Sequence, residues 1–195
     1  MFHLLLLSAL LGGLEAASPC TLPSPVFSYT QSGTVTYMAK GTFIILDQTQ
    51  LVDYDYNRKV QRVYVEAANK QDVRIIYMDF ANKMEYTQQG INGTCTRRAK
   101  NGTMHPPYIP EDAKVGPKMV VGTGQKSLTI QFYSYVLDGV YASMGLNDDC
   151  IIVTVELRQI VPGGGYANIG DIVVYDWKNN LRTPTVLDIP TKCKK

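Results

Sequence analysis

Apolar and polar residues alternate with a period of two along much of this chain. Between residues 127 and 133, Leu128, Ile130 and Phe132 fall on one side and Thr129, Gln131 and Tyr133 on the other. Between 150 and 158, Val153, Val155 and Leu157 oppose Thr154, Glu156 and Arg158. That period belongs to a β-strand with one face on a core. Shorter runs rich in β-branched and aromatic residues predict strands at 34–38, 42–46, 51–56, 61–65, 73–78, 83–86 and 171–177. The polar runs 57–59 and 79–82 separate two pairs of these, which read as antiparallel hairpins. No stretch of 12 residues carries a 3.6-residue apolar period. The expected fold is therefore all-β, with two antiparallel sheets curved into a sandwich or half-barrel.

The first residues do not fit that pattern. Leu4 to Leu11 is an apolar run, too short for a bilayer, which takes about 20 residues. Small residues follow at Ala16 and Ala17, so residues 1–17 read as a secretory signal peptide and 18–195 as one mature β domain. Secretion gives the four cysteines a meaning. Cys20, Cys95, Cys150 and Cys193 are widely spaced and form no CxxC site; in an oxidising compartment they imply two disulfides, with three pairings open. Asn92-Gly-Thr94 and Asn101-Gly-Thr103 become N-glycosylation sites on a surface segment around Cys95.

Composition narrows the function. A net charge of +2 is too small to argue for nucleic acid or an anionic membrane. His105 is the one histidine after the signal segment, no G-x-S-x-G is present, and neither Gly122-Thr-Gly124 nor Gly163-Gly-Gly165 is followed by a phosphate-loop helix start. Asn147-Asp-Asp149 and Asp53-Tyr-Asp55 cluster oxygens without matching an EF-hand, and read as turns. The expectation is a protein that is not an enzyme. The 13 tyrosines and the aliphatic strand faces suit a sheet that encloses an apolar ligand, although the same residues can fill a dry core. Candidate lining residues, taken from the apolar faces, are Val63, Val65, Ile75, Tyr77, Leu128, Ile130, Phe132, Val153 and Val155.

Over most of residues 19–193 the chain resembles the ependymin family. The matching pieces are Pro19-Cys20, Tyr54-Asp55 with Arg62-Val63, the hairpin from Val73 to Cys95, Ile109-Pro-Glu-Asp-Ala113 before Gly122, Cys150 after a Tyr-rich strand, and Val186, Pro190 and Cys193. The resemblance implies two sheets curved around a deep hydrophobic pocket, similar to bacterial lipoprotein-carrier folds. It implies a secreted or lysosomal glycoprotein, often a homodimer, that binds a lipid or other hydrophobic small molecule. It also implies the pairing Cys20 with Cys150 and Cys95 with Cys193. Several members are described as calcium-binding, so calcium is the cofactor this resemblance brings; it assigns no ligand residues here. The chain departs from vertebrate related proteins, which often have six cysteines, and it ends two residues after Cys193. This four-cysteine, short-tailed form is similar to invertebrate members, for which a calcium-dependent extracellular-matrix or cell-adhesion role without a ligand pocket is the rival reading.

Overall fold

The alternating segments pair into one antiparallel sheet. The computed structural model describes residues 20–39, 42–67, 73–161 and 165–194; the expected signal peptide, residues 1–17, lies outside them, as do Gly163 and Gly164 of the glycine run. The strands are β1 (Val26–Ala39), β2 (Thr42–Asp55), β3 (Val60–Ala67), β4 (Val73–Asp79), β5 (Met84–Gln89), β6 (Cys95–Ala99), β7 (Lys114–Val121), β8 (Leu128–Leu137), β9 (Val140–Leu146), β10 (Ile152–Val161) and β11 (Gly165–Lys178). Their order is β6-β5-β4-β3-β2-β1-β11-β10-β9-β8-β7. Among the described residues the helical elements are two 3-10 turns, Gly124–Lys126 and Thr191–Cys193.

The all-β antiparallel class is as the alternation implies. The division into two sheets is not: two meanders, β1–β6 and β7–β11, share one ladder of 11 strands. The reason is the length of β1, whose 14 residues pair with β2 along one edge and with β11 along the other. The segments 42–46 and 51–56 likewise belong to a single long strand, β2.

Both expected hairpins form, and by the same device. In Asp55-Tyr-Asn-Arg-Lys59 the Arg58 N–H donates to Asp55 Oδ1 at 3.0 Å and Lys59 takes a positive φ of 56°. In Asp79-Phe-Ala-Asn-Lys83 the Asn82 N–H donates to Asp79 Oδ1 at 3.0 Å and Lys83 has φ 53°. An Asp ahead of each turn holds the chain back, and a left-handed residue at its end re-enters the sheet.

The sheet is strongly curled. Val63 on β3 and Tyr135 on β8 line one cavity, yet the two strands stand six places apart in the strand order. A flat sheet would separate them by about 29 Å at ~4.8 Å per strand. The inner face carries Phe27, Tyr54, Tyr133, Tyr135, Ala142, Leu146, Ile152 and Val174 in one buried cluster, with Val52, Val63 and Val65 in another.

Two irregular segments complete the molecule. Residues 100–113 must travel from β6 at one edge of the sheet to β7 at the other. They do so across the inner face, burying Met104 and Ile109 in the core. The N-terminal arm lies along this crossover: Ile109 N–H donates to Cys20 O and Leu22 N–H donates to Pro107 O, each at 3.0 Å. Cys20 is bonded to Cys150, in the β9–β10 turn. Arm and crossover thus form a two-stranded strap fastened at one end.

The C-terminal segment, 179–194, binds the outer face instead. Its Arg182 guanidinium donates to Tyr29 O at 2.6 Å, Val52 O at 2.9 Å and Asp53 Oδ1 at 3.0 Å. Cys193 is bonded to Cys95 on β6. Both disulfides are those the family resemblance implies.

Candidate ligand-binding cavity

Cross-strand register decides which side chains meet under the strap. Tyr29 pairs with Val52, Phe27 with Tyr54 and Gln31 with Gln50. Val52 then pairs with Val63, and Tyr54 with Gln61. Residues directly opposite each other share a face, so these side chains form one continuous inner surface across β1–β3. On the other half, Ile172 pairs with Val155, Val155 with Met144, and Tyr135 with Ala142.

Together these surfaces bound a cavity of about 290 Å³, partly covered by Leu22 of the arm and by His105, Pro106, Tyr108 and Ile109 of the crossover. Its floor is aromatic and aliphatic. Phe27 stacks on Tyr54 at 4.4 Å between ring centroids and on Trp177 at 4.5 Å, and Trp177 also stacks on Tyr29 at 5.6 Å. Gln31 Nε2 donates to Gln50 Oε1 at 2.6 Å across the β1–β2 pair. The strap is tied down from inside, because the Tyr54 hydroxyl donates to the His105 carbonyl oxygen.

Among the described residues, no Asp, Glu, Lys or Arg lines the cavity. Its titratable groups are tyrosines and His105. Burial raises the Tyr29 hydroxyl well above the ordinary range, and it raises Tyr54 further with help from the neighbouring Tyr56, Tyr29 and Tyr135 hydroxyls. Tyr135 is pushed up to about 12 by burial. Burial lowers the His105 ring below its usual value, against a smaller upward pull from Asp138. At neutral pH the enclosed surface therefore carries no formal charge.

Of the nine candidates from the sequence, Val63 and Val155 line this cavity. Val65 shares the inner face but is packed with Val52 and Val63 in the core beside it. Ile75 and Tyr77 point the other way: Ile75 pairs with Tyr64, and Tyr77 with Arg62. They stand on the outer face, in the rows of Tyr64 and of Asp53–Arg62. Leu128, Ile130 and Phe132 keep the alternation seen in the sequence but also face outward. The inward positions of β8 are Tyr133 and Tyr135, whose partners Met144 and Ala142 face the core. Phe132 sits instead against Gly145, where an added Cβ would come within 2.7 Å of Ile130 and 3.1 Å of the Phe132 ring. Val153 is displaced by a bulge. Ile152 pairs with Leu146 while Thr154 pairs with Gly145, so Val153 is the extra residue and Ile152 takes the inward place.

The sequence reading missed Gln31, Gln50, Phe27, Tyr29, Tyr54, His105 and Tyr135. Part of this was available. The turn at 56–59 sets Asp55 opposite Val60, and counting back places Tyr54 and Val52 on the face of Val63. His105, Pro106 and Ile109 belong to a segment with no periodicity at all.

The oxygen-rich runs are occupied structurally. Asp53 accepts ion pairs from Arg62 at 3.1 Å and Arg182 at 3.0 Å. Asn147 Oδ1 accepts from the Asp149 and Ile151 N–H groups. Among the described residues no three His, Cys, Asp or Glu side chains cluster to hold a metal ion. Asn92 and Asn101 are both exposed, on either side of β6.

No family model matches the chain, and no curated protein matches it. Solved structures do. The chain is similar to an uncharacterized conserved protein from Thermus thermophilus, at 11% identity over 84% of this chain and 87% of that one, with a TM-score of 0.46. It is similar to a LolA superfamily protein from Nitrosomonas europaea, at 11% identity over 89% and 91%, with a TM-score of 0.36. A third is a putative outer membrane lipoprotein-sorting protein domain from Vibrio parahaemolyticus, at 6% identity over 84% and 88%, with a TM-score of 0.35. Likeness at this level says nothing of what the cavity holds.

Proposed function

We propose that this protein is a secreted, N-glycosylated carrier that holds a hydrophobic small molecule between the curled sheet and its strap, and that it is a member of the ependymin family. One observation carries the binding role: a partly open cavity of about 290 Å³ with an uncharged, largely aromatic and aliphatic wall. Small-molecule sites run from about 300 to 1,000 Å³, so this one stands at the lower end. At roughly 30 Å³ per water-sized group it holds about ten such groups: one chain or one small ring system. Transfer of that surface from water drives binding at roughly 25 cal/mol per Å². The family reading is supported by the order of the matched motifs and by the two cysteine pairs. Secretion is supported by the leader-like residues 1–17 and by those same disulfides; glycosylation is supported by two exposed Asn-Gly-Thr sites.

The test uses protein purified from the medium of secreting cells, whose mass should fall on enzymatic deglycosylation. Organic extraction should release an apolar molecule, and the emptied protein should take up an uncharged solvatochromic probe. Trp177, the chain's single tryptophan, stacks on two lining residues and should report the event by a change in emission. Val155→Phe narrows the cavity and should weaken uptake at least about tenfold. No released molecule together with no uptake would leave the interior a core, as the matrix-protein reading has it.

A further inference from the structure

The cavity is not apolar throughout. Gln31 and Gln50 project from directly opposed positions on β1 and β2, joined side chain to side chain at 2.6 Å. Gln48, the next residue of β2 on that face, packs with them in a crevice against Gly33, Val35 and Ile172 that has no room for a water, so the cavity ends at the pair. Val52 and Val63 lie on the other side of the pair, toward the aromatic floor. The aliphatic middle of the site therefore lies between this bonded glutamine pair and a single amide, Gln61, which stands opposite Tyr54 at the aromatic end.

We propose that the cavity selects a single-chain amphiphile with an uncharged, hydrogen-bonding head, such as a fatty alcohol or primary amide, over a fatty carboxylate or a long-chain amine. This rests on the carrier reading above and names the ligand class of that site. The warrant is the hydrogen-bonding inventory. A primary amide both donates and accepts. Once Gln31 has donated to Gln50, the pair still presents a carbonyl oxygen on Gln31 and an amide NH2 on Gln50. A hydroxyl or an amide head answers both at once. A carboxylate only accepts, which leaves the Gln31 oxygen facing another acceptor. An ammonium only donates, which leaves the Gln50 N–H groups idle. Either ion also enters a wall with no opposite charge, and burying an unpaired charge is strongly unfavourable.

Among the described residues the surroundings supply no counter-ion. Arg74 is the charged residue in the same cross-strand row, reached from Gln50 through Val65. It is exposed and stands two strands away, about 10 Å at ~4.8 Å per strand. His105 is kept neutral by its burial at ordinary pH.

The experiment compares three ligands of one chain length, 1-decanol, sodium decanoate and decylamine, at pH 7.4 by Trp177 fluorescence and calorimetry. Decanol should bind at least about tenfold tighter than either ion, the size of effect expected when buried polar groups go unpaired. Gln50→Leu should erase that preference while leaving uptake of the uncharged probe within about twofold, and Gln50→Glu should turn it toward decylamine. Arg74→Ala should change none of the three affinities. Decanoate binding as tightly as decanol overturns the head-group assignment and leaves the carrier reading standing. Failure of all three ligands and of the uncharged probe overturns both. A preference that persists in Gln50→Leu places the head elsewhere and also ends the proposal.

Discussion

Asp53 has no exposed side-chain surface, yet it holds a carboxylate between two guanidinium groups, Arg62 and Arg182. It lies on the outer face of β2, where a buried charge is tolerated because both partners arrive with good geometry. Arg182 does more than neutralise it. The β1–β11 register shifts between Ser28 and Thr30, and the same guanidinium donates to the Tyr29 carbonyl beside that shift and to the Val52 carbonyl. Removing it strands two buried backbone acceptors and halves the support of Asp53. Arg182→Ala should cost about 3 kcal/mol of stability, read by urea unfolding; a loss under about 1 kcal/mol would show that water replaces the guanidinium. At the same scale the sequence was half legible. The Asp53-Tyr-Asp55 run read as a polar turn for its oxygens, yet it also fell within the strand predicted at 51–56. Its first carboxylate proves to be a strand residue whose partner Arg182 stands at a sequence separation of 129, and no local pattern announces such a contact.

The crossover covers the cavity, so on the carrier reading ligand access turns on it. His105 sits in it with Tyr54 of β2 bonded to its carbonyl and Tyr135 of β8 3.5 Å from Nδ1. Asp138, in the β8–β9 turn, is the acidic group that acts on the ring; Lys100 acts on Asp138. The Asp138 carboxyl is held below its usual range chiefly by the Thr103 N–H and then by the Thr103 hydroxyl, so it stays ionised. The tyrosines titrate far higher. Of these groups, only the ring has an ordinary value between pH 5 and 8. Its ordinary value is about 6.5, and burial lowers it in the closed structure. The open or unfolded chain then binds the proton more readily. The His105 contribution to closure is complete above about pH 6.5 and is lost as pH falls toward the lower folded value. Probe affinity should therefore drop between pH 7 and pH 5, and His105→Gln should flatten the profile. A wild-type profile that is level over this range would remove His105 from the closing mechanism.

Elements differ in how plainly the sequence shows them. The hairpins at 56–59 and 80–83 are written in Asp-aromatic-x-x-Lys, and β8 and β10 in their alternation. Three strands escape. β6, Cys-Thr-Arg-Arg-Ala, has no apolar face; β7 is interrupted by Gly116-Pro117; β9 is diluted by Ala142, Ser143 and Gly145. For β9 a signal existed. Asp138-Gly139, with φ of 50° and 76°, is a two-residue hairpin turn of the kind whose twist matches the strands it joins.

At the scale of the whole molecule, two covalent clamps divide the labour. Cys20–Cys150 spans 130 residues and Cys95–Cys193 spans 98, so chain entropy gives both similar worth, roughly 4–5 kcal/mol each. Their places differ. The first fastens the strap over the cavity; the second fastens the C-terminal segment to the sheet edge between the two Asn-Gly-Thr sites. Replacing Cys20 and Cys150 with Ser should lower both the denaturation midpoint and the probe affinity, the latter at least about tenfold, as expected when an ordered cover is lost. Replacing Cys95 and Cys193 with Ser should lower the midpoint by a similar amount and leave binding within about twofold. Equal losses of binding in the two variants would contradict a strap that closes the site by itself.

The strands with regular alternation, the hairpin chemistry and the even cysteine count followed from the sequence alone, because each depends on residue types and near neighbours. The direction in which each alternating face points did not. Leu128, Ile130 and Phe132 form as regular an apolar stripe as Val155 and Leu157, yet one stripe faces out and the other lies inside. Parity is a property of a strand, whereas inside and outside are properties of the closed sheet. They were decided by the β1–β11 seam, by the Val153 bulge and by the path of a crossover that had to reach the far edge. The glutamine pair is set by the local β1–β2 register, but the cavity and its cover exist only after that closure, since their residues are brought together by pairings that span the length of the domain.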